Sequence, residues 1–339
     1  MTDLDATRLS AWARTHLPEL AEPLSIEKFA GGQSNPTYRI ETGGAPVVLR
    51  RQPFGALLPS AHAVDREYRV LAALHPTGFP VPRPLAFCSD PSVIGSMFYV
   101  MALAPGRSFW NGALPEVAPG DRNRVYRAMI TTQARLHQID PASIGLEGFG
   151  PSGGYLERQV ERWTRQYRAT QTDLIPAIEN LIDWLPRTIP SEGRTAIVHG
   201  DFRIDNLIYD PLEPEVRAVL DWELATLGDP LADFAYLAMN WVLQADGGPG
   251  LGGVDLAAAG IPDLDEAVAL YCRLTDRPQP PDLHWYFAFN LFRLAGILQG
   301  VKKRSLEGNA SSTSADTAIA RLEPLAAAGW NQALLAGAR

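Results

Sequence analysis

At 339 residues, with 46% apolar and 20% charged residues, the chain is long enough for two domain-sized cores, and its composition excludes long disordered stretches. The net charge of −8 excludes broad nucleic-acid binding, which needs a basic surface to displace counterions. No run of 18 apolar residues occurs and the opening stretch is acidic and amphipathic, without a signal-type apolar core; a cytoplasmic protein with no membrane partner is expected.

Strand-like stretches dominate the first hundred residues: Ser25–Ala30, Thr37–Thr42, Pro46–Arg51 and Met97–Leu103, rich in β-branched and aromatic residues and bounded by Gly, Pro and Asn. One helix interrupts them, because Val64, Tyr68, Leu71 and Leu74 recur at helical spacing before Pro76 and Gly78 end the pattern. After Ala104-Pro105-Gly106 the period becomes helical, with patterns at about 121–138, 154–169, 172–185, 230–244, 264–274 and 283–304. Short apolar runs break the helices at Ala196–His199, Leu207–Tyr209 and Val216–Leu220, the last two separated by a Pro-rich turn that suits a hairpin. An α+β protein is expected, with a small β-rich lobe over 1–104, a larger mainly helical lobe over 105–339, and a hinge at Ala104–Arg107. Cys88 and Cys272 stand far apart without metal-spaced neighbours, so neither a disulfide framework nor a zinc site is expected. Lysine occurs only at Lys28, Lys302 and Lys303; anion binding in mid-chain falls to arginine, backbone amides or metal.

The residues that carry chemistry begin at His199-Gly200-Asp201, which leaves an apolar run, continue to Asn206, and include Asp221 directly after Ala218-Val219-Leu220. Two carboxylates and an amide brought together at strand ends suit metal-assisted phosphoryl transfer, where a nucleophile is oriented and a magnesium ion neutralises phosphate charge. Asn206 and Asp221 offer the oxygen ligands magnesium prefers. Earlier in the chain, Gly31-Gly32-Gln33-Ser34-Asn35 lies between strand-like segments, where absent side chains let backbone amides approach phosphate oxygens; an ordinary hairpin explains the pair of glycines as well. Asp229 reads as a helix N-cap before Pro230, and Asp233 shares a helical face with Tyr236, Leu237 and Asn240.

His199-Gly200-Asp201 with Asn206, followed by Leu220-Asp221-Trp222-Glu223, resembles the catalytic and metal motifs of aminoglycoside phosphotransferases, choline kinases and their relatives, which are similar in turn to those of protein kinases. The resemblance covers nearly the whole chain. It implies a two-lobed protein-kinase-like fold, with a small antiparallel β lobe carrying one helix and a larger helical lobe, and an ATP- and Mg²⁺-dependent phosphotransferase acting on a small-molecule hydroxyl. It implies that Asp201 is the base that orients that hydroxyl, that Arg203 meets the transferring phosphate, that Asn206 and Asp221 hold magnesium, that His199 and Asp233 brace the loop, and that residues 31–35 cover the ATP phosphates. Met97–Leu103 resembles the segment against which adenine lies, with Met101 and Leu103 reading the base; an apolar strand is also ordinary core. Leu49-Arg50-Arg51, Gly154–Gln159, Arg293–Gly300 and Gly308–Ser312 resemble the kinase-like domains fused to some acyl-CoA dehydrogenases, a subgroup associated with hydroxyacyl-CoA phosphorylation.

One departure stands out. Kinase-like folds place a lysine on the strand after the glycine loop, paired with a helix glutamate, and no lysine lies between residues 29 and 301. Alternation puts Val48 and Arg50 on one strand face, so Arg50 offers a replacement for the lysine and is expected to pair with Glu67, which sits in line with the apolar face of its helix; a solvated Arg50 and a surface Glu67 are the plain alternative. Arg51 points away, and its removal is expected to matter little. The missing lysine also leaves open a non-catalytic nucleotide-binding module. For the acceptor, Arg158, Arg162 and Arg165 share one helical face, where like charges call for an anionic ligand such as a CoA thioester; Trp163 and Tyr167 serve stacking or core packing, and a solvated basic face is the plain alternative. An aminoglycoside or other small-metabolite kinase remains the competing reading, with Asp255–Glu266 as its candidate acidic segment.

Overall fold

A computed structural model describes residues 4–29, 35–54, 62–151, 153–278, 281–307 and 314–339. The elements in chain order are α1 (Ala6–His16), β1 (Ser25–Lys28), β2 (Thr37–Glu41), β3 (Val47–Arg51), α2 (Val64–Leu74), β4 (Pro84–Cys88), β5 (Phe98–Ala102), α3 (Pro119–Gln138), α4 (Tyr155–Thr170) and α5 (Pro176–Trp184). They continue with β6 (Ala196–Val198), β7 (Leu207–Tyr209), β8 (Val216–Val219), β9 (Thr226–Gly228), α6 (Pro230–Ala238), α7 (Leu256–Ala259), α8 (Leu264–Leu274), α9 (His284–Leu306), α10 (Ser314–Ala320) and α11 (Leu322–Leu335). Among these residues no helix is long and apolar enough to cross a membrane.

The chain forms two compact units, each discontinuous in sequence. The first gathers Met1–Phe109, Pro141–Glu147 and Ile204–Ala225. Its five-stranded antiparallel sheet has the order β1-β2-β3-β5-β4. One face of β2 and β3 buries Tyr38, Ile40, Val47 and Leu49 against Leu9, Ala13 and Leu17 from α1 and the turn after it. Asp5 starts that helix by accepting from the Arg8 amide. On α2, Val64, Val70, Leu71 and Leu74 are buried in one stripe, and Glu67 is buried with them. The β7–β8 hairpin belongs to this unit and is tied to it by backbone bonds: Arg107 and Tyr209 exchange a pair at 2.9 and 2.8 Å, and the Val219 amide reaches the Pro80 carbonyl at 2.9 Å. A Cβ on Gly106 would lie 2.2 Å from the Tyr209 oxygen, so the expected hinge segment needs glycine where the two backbones meet.

The second unit gathers Trp110–Asp140, Gly148–Arg203 and Thr226–Arg339. Helix α9 is its axis, buried along most of its length from Trp285 to Gln299, with α4, α6 and α11 packed on it. Every residue of α6 is buried, so polar groups on it must find partners inside the protein.

The expected strands and the α2 helix are present, as is the 207–220 hairpin. The run ending at His199 pairs with Thr226–Gly228, a strand of three residues too short to show a period. Strand β4 begins on a proline in a Pro-rich stretch and sits at the sheet edge, where a missing N–H is tolerated. Helix α5 starts at Pro176, four residues later than its pattern suggested, because proline suits the first helical turn.

The expectation for Arg51 needs correction. It faces away from Arg50, as alternation requires, but that face is core: Arg51 is 1% exposed, its guanidinium lies 3.7 Å from the Phe54 ring centroid, and its Nη1 donates to the Gln52 carbonyl at 2.8 Å. We predict that Arg51→Ala lowers unfolding free energy by about 2–4 kcal/mol through lost packing and an emptied site, whereas Arg39→Ala on an exposed pair with Glu41 changes it by no more than about 0.5 kcal/mol. Urea denaturation of both variants checks this; equal midpoints would show that the Arg51 contacts carry no stability.

Candidate active site

Two groups of side chains, one in each unit, hold the residues singled out above. In the first unit, β3 carries Arg50 on the face opposite Arg51. Arg50 Nε lies 2.9 Å from Glu67 Oε2, and its Nη2 donates to Asp221 Oδ1 at 2.7 Å with Glu223 at 3.6 Å. Arg50 is 12% and Glu67 1% exposed, while Asp221 is 35% exposed. Glu67 also accepts from Tyr99 Oη at 2.9 Å and from Asn35 Nδ2 at 2.7 Å. All three donors favour its anion. Three carboxylates nevertheless share one guanidinium. Burial first, then the charges of Asp221 and Glu223, push the Glu67 carboxyl up to about 7 against the pull of Arg50 and Tyr99. For Arg50, burial acts the other way and is outweighed by the surrounding acids, so its guanidinium is held above its ordinary range.

Asp221 follows β8 directly in a left-handed backbone conformation, φ 63°, which is uncommon for a non-glycine residue and marks a constrained turn. The Leu220 amide donates to the Asn206 carbonyl at 2.8 Å, so Asn206 and Asp221 sit at the same end of the β7–β8 hairpin. Among the described residues no three His, Cys, Asp or Glu side chains gather as metal ligands. The donor set is instead an amide oxygen and a carboxylate oxygen in a cluster of excess negative charge. That fits a hard divalent cation such as Mg²⁺, which takes few protein ligands and completes its shell with phosphate and water.

In the second unit the strand β6 delivers His199, Gly200 and Asp201 into a loop whose shape Asp233 dictates. Its Oδ1 accepts from the Gly200 amide at 2.7 Å, and its Oδ2 from the His199 amide at 3.1 Å and Gln133 Nε2 at 3.3 Å, with His137 Nε2 at 3.0 Å. Burial pushes the Asp233 carboxyl up, but the His137 hydrogen bond, the electrostatic pull of His137 and His199 and the Gly200 amide outweigh it and hold the group down at about 2. Gly200 adopts φ 81°, a conformation glycine enters without strain, and its carbonyl accepts from Arg293 Nη2 at 2.6 Å. The guanidinium of Arg293 lies 4.8 Å from the Tyr236 ring centroid and 5.4 Å from that of Trp163. Tyr236 Oη donates to Asp201 Oδ1 at 2.7 Å, and Arg203 Nε lies 3.1 Å from the same oxygen. Burial and the charge of Asp201 keep the Tyr236 hydroxyl protonated, so it serves as a donor. His199 is fully buried and its Nδ1 accepts from the Asp201 amide at 3.2 Å, a bracing position.

The other expected residues fall as follows. Gly31, Gly32, Gln33 and Ser34 lie outside the described residues, as does the 308–312 segment. Asn35 is fully buried and spends its amide on Glu67. Val48 is buried on the Arg50 face of β3 and pairs in register with Met101 of β5, and the Leu103 amide donates to the Pro46 carbonyl at 3.3 Å. On α4, Leu156, Val160, Trp163 and Tyr167 form the buried stripe, so both aromatics are core; Arg158, Arg162 and Arg165 lie off it. Arg158 donates to the Gly153 and Pro151 carbonyls, Arg165 lies 3.4 Å from Glu161, and Arg162 lies 5.7 Å from the Trp163 ring centroid. Asp229 caps α6 through the Leu231 amide at 2.6 Å. Sequence reasoning did not find Tyr99, Tyr236 and His137 as partners of Glu67, Asp201 and Asp233. Only Tyr236 carried a signal, its helical spacing from Asp233.

The sequence profile of the phosphotransferase enzyme family matches residues 25–271. Among curated proteins the chain is 46% identical over 94% of its length to acyl-CoA dehydrogenase family member 10 of Mus musculus, and 46% identical over 91% to acyl-CoA dehydrogenase family member 11 of Gallus gallus. It spans 30% and 40% of the length of those two proteins. A crystal structure from Ralstonia eutropha, of a protein provisionally assigned as an aminoglycoside phosphotransferase, superposes with a TM-score of 0.89 at 46% identity, covering 98% of this chain and 99% of that one.

The Asp233 network sets a pH dependence. A carboxyl held at about 2 in the folded state, against about 4 when unfolded, contributes stability that is fully present above pH 4 and is lost as pH falls towards 2, an amount of about 2 kcal/mol. We predict that the stability gap between wild type and Asp233→Asn, read from denaturant midpoints, narrows between pH 4 and pH 2. A gap that stays constant over this range would contradict the assignment.

Proposed function

The chain belongs to the phosphotransferase enzyme family, and on that premise we propose that it transfers the terminal phosphoryl group of ATP, with Mg²⁺, to the hydroxyl of a small molecule. The observation that carries this reading is Arg50, held by Glu67 on one side and by Asp221 on the other. It supplies the cation that the missing lysine would have provided, in a pocket whose excess of carboxylates calls for a further positive charge. Bound Mg²⁺ would neutralise phosphate charge and make the transferring group electrophilic.

The chain's own residues divide the remaining work. Asn206 and Asp221 offer oxygen ligands to the metal, and Arg50 offers a planar fork to phosphate oxygens. Residues 31–35, Val48, Met101 and Leu103 make up the nucleotide contacts of the lobe we assign to 1–104; the acceptor and the catalytic loop belong to the lobe at 105–339. Asp201 accepts the acceptor's hydroxyl proton or a hydrogen bond from it, and Tyr236 and Arg203 fix the orientation of its carboxylate. Arg203 is also placed to meet developing phosphate charge.

We predict that Asp201→Asn lowers kcat by about 10²-fold or more while nucleotide affinity changes little, and that Asp221→Asn weakens Mg–nucleotide binding as well. Steady-state kinetics and calorimetric titration separate the two. An Asp201→Asn enzyme that keeps a tenth or more of wild-type kcat would refute the base assignment.

For the acceptor, the reading supported by the similarity to acyl-CoA dehydrogenase family members is a hydroxyacyl-CoA, met by Arg158, Arg162 and Arg165 on the exposed side of α4. The similarity to the Ralstonia eutropha protein favours an aminoglycoside as the second reading. We expect ATP-dependent phosphorylation of a hydroxyacyl-CoA to exceed that of a kanamycin-type acceptor, and to fall on Arg158→Ala/Arg162→Ala. Efficient aminoglycoside transfer would decide for the second reading, and CoA-ester transfer indifferent to that double change would refute the role given to the α4 arginines.

A further inference from the structure

The second unit contains a cavity of about 200 Å³ whose wall is formed by His137, Arg194, Pro230, Tyr271, Thr275 and Arg277. It includes none of the residues assigned above to catalysis, nucleotide or acceptor. The wall holds two guanidinium groups, a phenol and a threonine, and no carboxylate. Arg194 is anchored by donating Nη2 to the His137 carbonyl. Among the described residues neither Arg194 nor Arg277 makes an ion pair within 4.0 Å. Arg277 interacts electrostatically with Asp229, a carboxylate outside the wall that also accepts from the Leu231 amide at 2.6 Å and from Tyr286 Oη at 3.4 Å. Both arginines act electrostatically on the Tyr271 hydroxyl, against the opposite pull of Asp233 and Asp229 behind the wall.

Two guanidinium groups line one concave space, Arg194 exposed and Arg277 half-buried, and together they present positive charge to an anion that enters it. Guanidinium forks match the oxygens of phosphate or carboxylate. We propose that this cavity is a binding site for a phosphate-sized oxyanion, either free phosphate or the phosphate group of a small monoester, gripped by Arg194 and Arg277. The volume exceeds that of a phosphate group and leaves room for water or for the remainder of a small monoester. Tyr271 is part of the wall, its Oη lies 2.7 Å from His137 Nδ1, and His137 is the ring that holds Asp233. The occupant therefore sits one hydroxyl away from the network that shapes the Asp201 loop. The proposal does not depend on the phosphotransferase reading, because the cavity would take its anion whatever the acceptor or nucleotide.

The test is thermal unfolding of the full chain titrated with inorganic phosphate, at ionic strength matched with chloride. A ligand that binds only the folded state raises Tm with concentration. The expected result is a rise in wild type that is lost in Arg194→Ala/Arg277→Ala, with apparent affinity weakened at least tenfold. Arg124→Ala/Arg187→Ala removes the same charge from exposed pairs with Asp121 and Asp183 and should keep the rise. Arg277→Lys, which retains the charge and loses the fork, should weaken binding several-fold while the fold is unaffected by circular dichroism. Glycerol 3-phosphate in place of phosphate distinguishes the sources: a rise with both identifies a monoester site, and a rise with inorganic phosphate alone identifies a free-ion site. No rise in wild type, or an equal rise in wild type and Arg194→Ala/Arg277→Ala, would overturn the proposal.

Discussion

A carboxylate sealed from water must be met by donors, and most of what is distinctive in the second unit follows from how Asp233 is met. Helix α6 has no exposed face, so the group cannot be solvated and cannot be left unpaired without a cost of several kcal/mol. Two of its donors are consecutive backbone amides, His199 and Gly200. A backbone bound through successive amides to one rigid carboxylate has little freedom, and the Arg293 contact on the Gly200 carbonyl removes more. The side chain that follows, Asp201, then emerges from a fixed turn into the reach of Tyr236, which lies one helical turn beyond Asp233 on the same helix. A single helix thus sets both the path of the loop and the orientation of the carboxylate it presents.

The first unit solves a different electrostatic problem. Arg50 is almost fully buried among Glu67, Asp221 and Glu223, an arrangement in which the cation is over-compensated. Such a cluster keeps the guanidinium charged at any accessible pH and makes room for more positive charge. Arginine differs from lysine in offering several donors in a fixed plane, which is how one side chain reaches Glu67 and Asp221 at once. A lysine ammonium at the same strand position could be drawn to either acid, but it would lack the planar fork that spans them.

Each unit holds its candidate site residues in place through buried polar groups rather than through the apolar core. Asn35 and Tyr99 converge on Glu67, and His137 and Gln133 on Asp233. These four residues come from sequence positions distant from the carboxylates they serve. The cavity walled by Arg194 and Arg277 has the same character: its two cations are far apart along the chain, one just before β6 and one just after α8, and both elements pack on α3.

Period and motif alone specified the β-rich beginning, the helical remainder and the 207–220 hairpin, and singled out Asp201, Asn206 and Asp221 as candidates, because alternation, helical spacing and turn chemistry are local properties of the chain. The same alternation assigned Arg50 to the face of Val48, and an acidic residue on the apolar stripe of α2 announced that Glu67 had a partner. What alternation could not say is what each face meets. Arg51 looked dispensable until the packing of α1 and Phe54 made its side of the sheet an interior, and Trp163 and Tyr167 became core once α9 lay against α4. Pairing β6 with the three-residue β9, the edge strand begun by Pro84, and the donors gathered around Asp233 were likewise decided by tertiary structure. Contacts between residues a hundred positions apart depend on which surfaces the whole chain buries together, and no local period records that choice.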